Sequence, residues 1–238
     1  MTFRRLPTIT SYGSIKPIMT DRFEGNVLVW EMYSSIQGES TWAGLPCFFI
    51  RLSGCPLRCV WCDTEYAFYG GERKTIAEVV QAALASGITL VEVTGGEPLA
   101  QPNCPELCGA LLDQGMSVLI ETAGSEPIDT LPVGVIRIMD LKCPDSGEIE
   151  KNLWSNLGHL NKNDEVKFVI ASKADFDWAA EVVLRERLAE RVKSVLFSPV
   201  FGKIDPQKMV TWILERKLPV RFQLQMHKFI WDPQTKGV

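Results

Sequence analysis

The chain is short of the features that mark several large classes of protein. It has no run of lysine or arginine of the kind that follows a phosphate backbone, and its net charge is −4, which disfavours nucleic-acid binding. Apolar runs such as Cys47 to Ile50 are far shorter than the ~20 residues needed to cross a bilayer, so a soluble protein with no membrane partner is expected. No apolar stretch near the start precedes a small-residue cleavage site. The seven cysteines would suit a disulfide scaffold only in a short secreted chain, so a reducing, cytoplasmic setting is expected. There are two histidines: His159 reads as part of a helical turn with no role, and a lone histidine such as His227 is more often a satisfied polar group than a catalyst.

What is present can bury a full core. At 238 residues and 46% hydrophobic, one domain is the simplest count. Residues 1–26 carry Pro7, Gly13, Pro17 and Gly25 without sustained periodicity and read as an N-terminal arm; residues 27–238 read as the catalytic domain. Strands are expected at 27–34, 47–53, 88–93, 117–120, 135–139, 166–170, 194–197 and 220–224. Helices are expected from Thr75, around Leu107 to Leu112, over 175–191 and over 206–216. Thr75 and Glu78 have the spacing of a capping box. Strands alternating with helices imply a parallel sheet, and the count fits an incomplete (β/α) barrel, with a doubly wound open sheet as the alternative. Unusual residues fall where strands end, which in a barrel is the mouth that carries the site. The cysteine loop, the double glycine, Glu121, Lys142, Ser198 and His227 would then surround one cavity.

The densest chemistry lies in Cys55-Pro-Leu-Arg-Cys59-Val-Trp-Cys62. A structural zinc takes four ligands, and an iron–sulfur cube has four corners, normally held by four thiolates. Three thiols on a cube leave one iron open to a small molecule, so the loop reads as a reactive site. Buried packing thiols are a weaker reading, because Pro56 and Arg58 do not suit a core strand. A zinc completed from a distance by Cys47, Cys104, Cys108 or His159 is another. Cys104 and Cys108, at helical spacing, and Cys47 and Cys143 read as packing residues.

The Cys-x3-Cys-x2-Cys loop together with Gly95-Gly96-Glu97-Pro98 resembles the two signatures of the radical S-adenosylmethionine (SAM) superfamily. With Ile36 to Glu39, Cys62-Asp63-Thr64 and Gln225 to Lys228, the chain from about residue 30 onward resembles the 7-carboxy-7-deazaguanine synthase family. That resemblance implies a modified, incomplete TIM-type barrel and a homodimeric lyase. It implies contraction of 6-carboxy-5,6,7,8-tetrahydropterin to 7-carboxy-7-deazaguanine with loss of ammonia, on the route to queuosine. It implies Cys55, Cys59 and Cys62 as ligands of a [4Fe–4S] cluster, and Trp61, Cys62, Asp63, Gly95, Gly96, Glu97, Glu121, Asp140, Leu141, Lys142, Ser198, Pro199 and Val200 along SAM. Ile36, Gln37, Gly38, Arg51, Thr94, His227 and the terminal Val238 would meet the pterin, Thr64 would bind Mg2+, and a flavodoxin-type protein would donate electrons. Read from their own chemistry, Arg51 is a fork-shaped donor that suits a carboxylate, the Thr64 hydroxyl is a hard oxygen ligand, and Trp61 could shield the cluster. The rival readings are a radical SAM activase that installs a glycyl radical on a partner protein and a zinc-binding module without catalysis.

Overall fold

Alternating apolar segments and turn residues produce nine strands and five helices within residues 25–238, the part of the chain described by the computed structural model. The strands are β1 (Asn26–Ile36), β2 (Pro46–Leu52), β3 (Glu72–Thr75), β4 (Leu90–Gly95), β5 (Ser117–Thr122), β6 (Ile136–Asp140), β7 (Glu165–Ile170), β8 (Ser194–Pro199) and β9 (Arg221–Phe222). The helices are α1 (Ile76–Ala85), α2 (Cys104–Asp113), α3 (Lys173–Arg185), α4 (Pro206–Arg216) and α5 (His227–Ile230). One sheet contains every strand, in the order β3-β1-β2-β4-β5-β6-β7-β8-β9. From β2 and β4 through β9 each strand lies parallel beside its predecessor. A doubly wound sheet reverses its strand order partway through the parallel strands; here the parallel strands β2 and β4 to β9 keep one direction of order, and the ends of the sheet, β3 and β9, do not pair. The architecture is an incomplete TIM-type barrel.

The departures from the sequence reading have local causes. Residues 1–24 of the expected arm lie outside the described residues, but Asn26 already pairs with Thr75, so the folded body starts slightly earlier than 27. The strand β3 was not expected, since Glu72-Arg-Lys-Thr carries no apolar alternation; both β1–β2 and β1–β3 are antiparallel. The first strand runs two residues beyond its expected end, to Ile36. No α-helix separates β5 from β6, and the β6–β7 connection contains only 3-10 turns, the last of which, Trp154–His159, holds His159. The helix expected to reach 191 stops at Arg185, because Arg187 adopts a left-handed backbone (φ 52°). His227 opens α5, and the last strand shrinks to two residues. The α1 start is as expected: Glu78 N donates to Thr75 Oγ1 at 3.2 Å while Thr75 N donates to the Glu78 side chain at 2.7 Å, a reciprocal cap.

Period-two alternation sorts each strand into two faces. Ile50, Val91, Val93, Val118, Ile120, Val166 and Phe168 point outward and form the main core with the helices, including Cys104, Cys108 and Cys143. The inward positions form two layers. The lower is apolar, built from Cys47, Phe49, Leu90, Leu119 and Ile138 with Trp42 packed against them. The upper is polar: Arg51, Thr94, Glu121, Asp140 and Lys167 all line one cavity.

Candidate active site

The cavity has a volume of about 700 Å³ and reaches from the polar layer to the cysteine loop and the last residues of the chain. The loop leaves β2 directly. Leu57 is buried and anchors it from beneath. Arg58 holds it from outside: its guanidinium lies 4.2 Å from the Phe68 ring centroid and donates to the carbonyls of Cys55 (2.7 Å) and Leu57 (2.6 Å). Val60 N donates to Ser146 O at 3.1 Å, tying the loop to the β6–β7 connection. Cys55, Cys59 and Cys62 are free and half-buried. Burial raises the Cys55 thiol and carries Cys59 to about 11, while the Lys142 ammonium pulls both down; a metal that binds the thiolates displaces those protons.

Among the described residues no set of three His, Cys, Asp or Glu side chains converges on a point suited to one metal ion. Zinc needs all its ligands at ~2.0–2.3 Å from one centre, whereas a cube takes each thiolate on a separate iron. The double glycine is the second part of the cradle. A Cβ on Gly95 would fall 2.3 Å from Leu52 O, and one on Gly96 would fall 2.4 Å from both Cys55 Cβ and Gly54 O. Only glycine lets these two backbones touch, and that contact seats the β4 end against the cysteine loop. The soft donor set and this close backbone cradle fit an iron–sulfur cube with a second ligand beside it.

The β1–β2 connection folds into the barrel and supplies further groups. Ser40 N donates to Gln223 Oε1 (2.8 Å), Thr41 N to Glu165 Oε2 (3.0 Å), and Trp42 enters the apolar layer. These ties fix Gln37, whose Nε2 donates to Glu92 and whose Oε1 accepts Glu39 N. Lys167 is buried and donates to Glu39 Oε2 at 3.0 Å and to Glu121. Burial opposes the Lys167 charge, but the Glu121 and Glu39 carboxylates overcome it and hold its pKa well above the ordinary value; Lys167 in turn overcomes burial at Glu39 and lowers that pKa. Arg51 donates to Glu31 Oε1 (2.8 Å) and Tyr33 Oη (3.0 Å) and stays cationic. Lys142 Nζ donates to Asp140 Oδ2 at 2.9 Å, whereas Asp140 Oδ1 is buried without a hydrogen-bond partner. An orphaned buried acceptor on a cavity wall is a place for a ligand's donor.

Most of the residues singled out from sequence meet at this cavity. Ile36, Gln37, Gly38, Arg51, Cys55, Cys59, Trp61, Cys62, Asp63, Thr64, Thr94, Gly95, Gly96, Glu121, Asp140, Lys142, Val200, His227 and Val238 line it. Thr64 Oγ1 lies 3.8 Å from Cys62 Sγ. The side of Gly38 is filled by His227, whose Nδ1 would be 2.4 Å from an added Cβ. Glu97, Leu141, Ser198 and Pro199 are buried and stand off the cavity wall. In Glu97 the reason is plain: its carboxylate accepts Leu99 N (3.0 Å), Thr122 Oγ1 (2.9 Å) and Ala123 N (2.6 Å). It staples the double-glycine turn to the end of β5.

Burial raises the Glu97 pKa from 4.5 to about 7. The unfolded chain therefore loses this proton first, so the stabilising contribution of the protonated side chain is full at low pH and declines as pH rises from 4.5 to about 7. Glu97→Gln should remove that slope. It should also cost about 1–3 kcal/mol, since a carboxamide N–H2 would face a backbone N–H in a buried site. Urea unfolding between pH 5 and pH 8 checks both; an unchanged slope would show that Glu97 does not titrate there.

Sequence reasoning passed over Glu39, Glu92 and Lys167. The last two sit within Leu90-Val-Glu-Val and Val166-Lys-Phe, read simply as apolar strands. The available signal was the charge itself: a strand of a parallel sheet is buried on both faces, so a charge in its middle has to meet a cavity or a partner.

A family model described as the radical SAM superfamily matches residues 49–133, the span that holds the cysteine loop and the double glycine. A 7-carboxy-7-deazaguanine synthase from Koribacter versatilis is 45% identical over 226 residues, covering 88% of this chain and 99% of the relative. One from Chlorobaculum tepidum is 43% identical over 218 residues, covering 90% and 99%. The crystal structure of QueE from Escherichia coli superposes with a TM-score of 0.70 at 23% identity, covering 89% of this chain and 100% of that one, and shares the fold. With such identity over nearly the full length of both partners, the chain belongs to the 7-carboxy-7-deazaguanine synthase family of radical SAM enzymes.

Proposed function

We propose that the chain converts 6-carboxy-5,6,7,8-tetrahydropterin to 7-carboxy-7-deazaguanine with release of ammonia, in the route to 7-deazapurine nucleosides such as queuosine. One observation carries this reading: a single cavity joins the three thiols, the double glycine and an inward layer of charged and polar groups. Cys55, Cys59 and Cys62 would hold the [4Fe–4S] cluster. Trp61, Asp63, Gly95, Gly96, Glu121, Asp140, Lys142 and Val200 would lie along SAM, with Asp140 Oδ1 free to accept a hydrogen bond from it. When bound, cluster and SAM supply a carbon-centred radical able to remove an unactivated hydrogen.

The chain's own residues would place the substrate. Arg51, held in position by Glu31 and Tyr33, presents a cation to the pterin carboxylate. Gln37, the Gly38 backbone, Thr94, His227 and the Val238 end would surround the ring. Glu97, Leu141, Ser198 and Pro199 would support the SAM-facing wall from behind. Thr64 would offer Mg2+ a hard oxygen. A homodimer supplied with electrons by a flavodoxin-type protein in the cytoplasm completes the reading, and no described helix is long and apolar enough to cross a membrane.

The test is anaerobic incubation of the reconstituted protein with SAM, reductant, Mg2+ and 6-carboxytetrahydropterin, with mass analysis of the product. The wild type should yield the deazaguanine acid and Cys59→Ala none. A wild type that cleaves SAM without forming this product would overturn the substrate and bring the glycyl-radical activase forward. Thr64→Val should weaken the Mg2+ response while leaving the cluster spectrum intact; an unchanged Mg2+ titration would reduce Thr64 to a turn residue.

A further inference from the structure

Glu92 is a buried carboxyl that nothing in the fold requires. It lies on the inward face of β4, in register with Phe49 of β2 and Leu119 of β5, and is 2% exposed. Its two strand neighbours are apolar at that level, so an apolar side chain there would extend the lower layer and avoid burying a charge. Glu92 instead lines the cavity. Its Oε2 accepts Gln37 Nε2, and among the described residues no donor reaches Oε1.

Glu39, Glu121, Lys167, Tyr33 and Cys47 surround it. The Lys167 ammonium is already shared between Glu39 and Glu121, and both Glu39 oxygens are engaged, one by Gln225 and the other by Lys167. Glu121 spends one oxygen on Lys167, and Glu92 differs from it in having a side-chain amide on one oxygen and no donor on the other. Burial, with Glu121 adding to it, holds its pKa well above the ordinary carboxylate range, so the group is short of donors. Two adjacent N–H groups from a ligand would meet that shortage.

Resting on the pterin reading above, we propose that Glu92, braced by Gln37, is the residue that selects the 2-amino-4-oxopyrimidine edge of the substrate, accepting its exocyclic amine and the adjacent ring N–H. The two donated hydrogen bonds favour the carboxylate, and the displaced proton leaves to solvent. A ring with oxygen in place of the amine turns an acceptor toward Glu92 and loses one hydrogen bond while setting two acceptors against each other. A carboxamide at position 92 reverses that preference, since it offers a donor to the carbonyl.

The experiment measures binding of two unreactive oxidised analogues, 6-carboxypterin and 6-carboxylumazine, to the reconstituted protein with SAM and without reductant. The wild type should prefer the pterin by tenfold or more, and Glu92→Gln should narrow or invert that ratio by at least tenfold while its cluster spectrum stays as in the wild type. A ratio unmoved in Glu92→Gln overturns the assignment. Glu92→Asp keeps both acceptors but withdraws them by one methylene: it should weaken both analogues while keeping the preference, and it carries the test if Glu92→Gln does not fold. Unaltered affinity in Glu92→Asp would again overturn the role. Equal binding of both analogues by a wild type that still forms the deazaguanine acid overturns the role of Glu92 alone; no binding of the pterin and no such product overturns the pterin reading itself.

Discussion

Replacing Lys167 with methionine should destabilise the protein by about 3–5 kcal/mol at pH 7. Lys167 is 4% exposed and ion-paired to both Glu39 and Glu121; methionine fills much of the same volume but leaves two carboxylates facing each other without a cation. The pH dependence separates this cause from simple packing loss. In the wild type the Lys167 pKa lies above its ordinary value, so its contribution is complete at neutral pH and fades only in strong alkali. Glu39, lowered from 4.5, contributes above that ordinary value and loses its contribution as pH falls through its folded value. In the variant Glu39 loses the cation that lowers its pKa and takes up a proton more readily, so the deficit should shrink between pH 7 and pH 5. Urea unfolding at the two pH values reads this directly. A loss below 1 kcal/mol, or one that does not change with pH, would mean that the network adds little to the fold.

The second large effect is expected from Gly96→Ala. An ordinary Cβ contact lies at 3.4–4 Å, and the added methyl would sit 2.4 Å from Cys55 Cβ and from Gly54 O. Both neighbours belong to the cysteine loop, so a shift of about 1 Å has to be taken up by Cys55 or by the double-glycine turn, a displacement that can cost roughly a hundredfold in rate. Iron retained after anaerobic reconstitution should fall, and SAM cleavage with it. Gly115→Ala serves as the control: Gly115 has φ 77° with nothing within 4 Å of an added Cβ, so it should lose about 1–2 kcal/mol from backbone strain and keep full iron and activity. Wild-type iron content and cleavage in Gly96→Ala would show that the close approach is not needed.

These two sites mark the limits of what could be read from the residues. The cysteine loop and the double glycine were legible because their chemistry is local: the thiols lie within eight residues, and glycine has few reasons to recur at a strand end. The barrel was legible from alternation, and α1 from its cap. The charged floor was not. Glu39, Glu92 and Lys167 come from three separate segments, and only the folded barrel brings them to one cavity. Antiparallel β1 and β3 were hidden for a related reason, since pairing of Asn26 with Thr75 joins segments far apart in the chain. Ser198 was placed by its strand-end position and Glu97 by the Gly-Gly-Glu-Pro motif, and side-chain direction then took both off the cavity wall, with Glu97 turned to the end of β5.

The clasp on the cysteine loop also bears on how a cofactor is installed. Arg58 grips the loop from the solvent side, through Phe68, Tyr69 and two loop carbonyls, and the main core is built from other residues. Contacts of this kind open independently of global unfolding, as local fluctuations of low cost. The main core can thus form before any iron arrives, with the loop tied to it by buried Leu57 and the Val60–Ser146 hydrogen bond. Assembly and folding become separable events in the life of the chain.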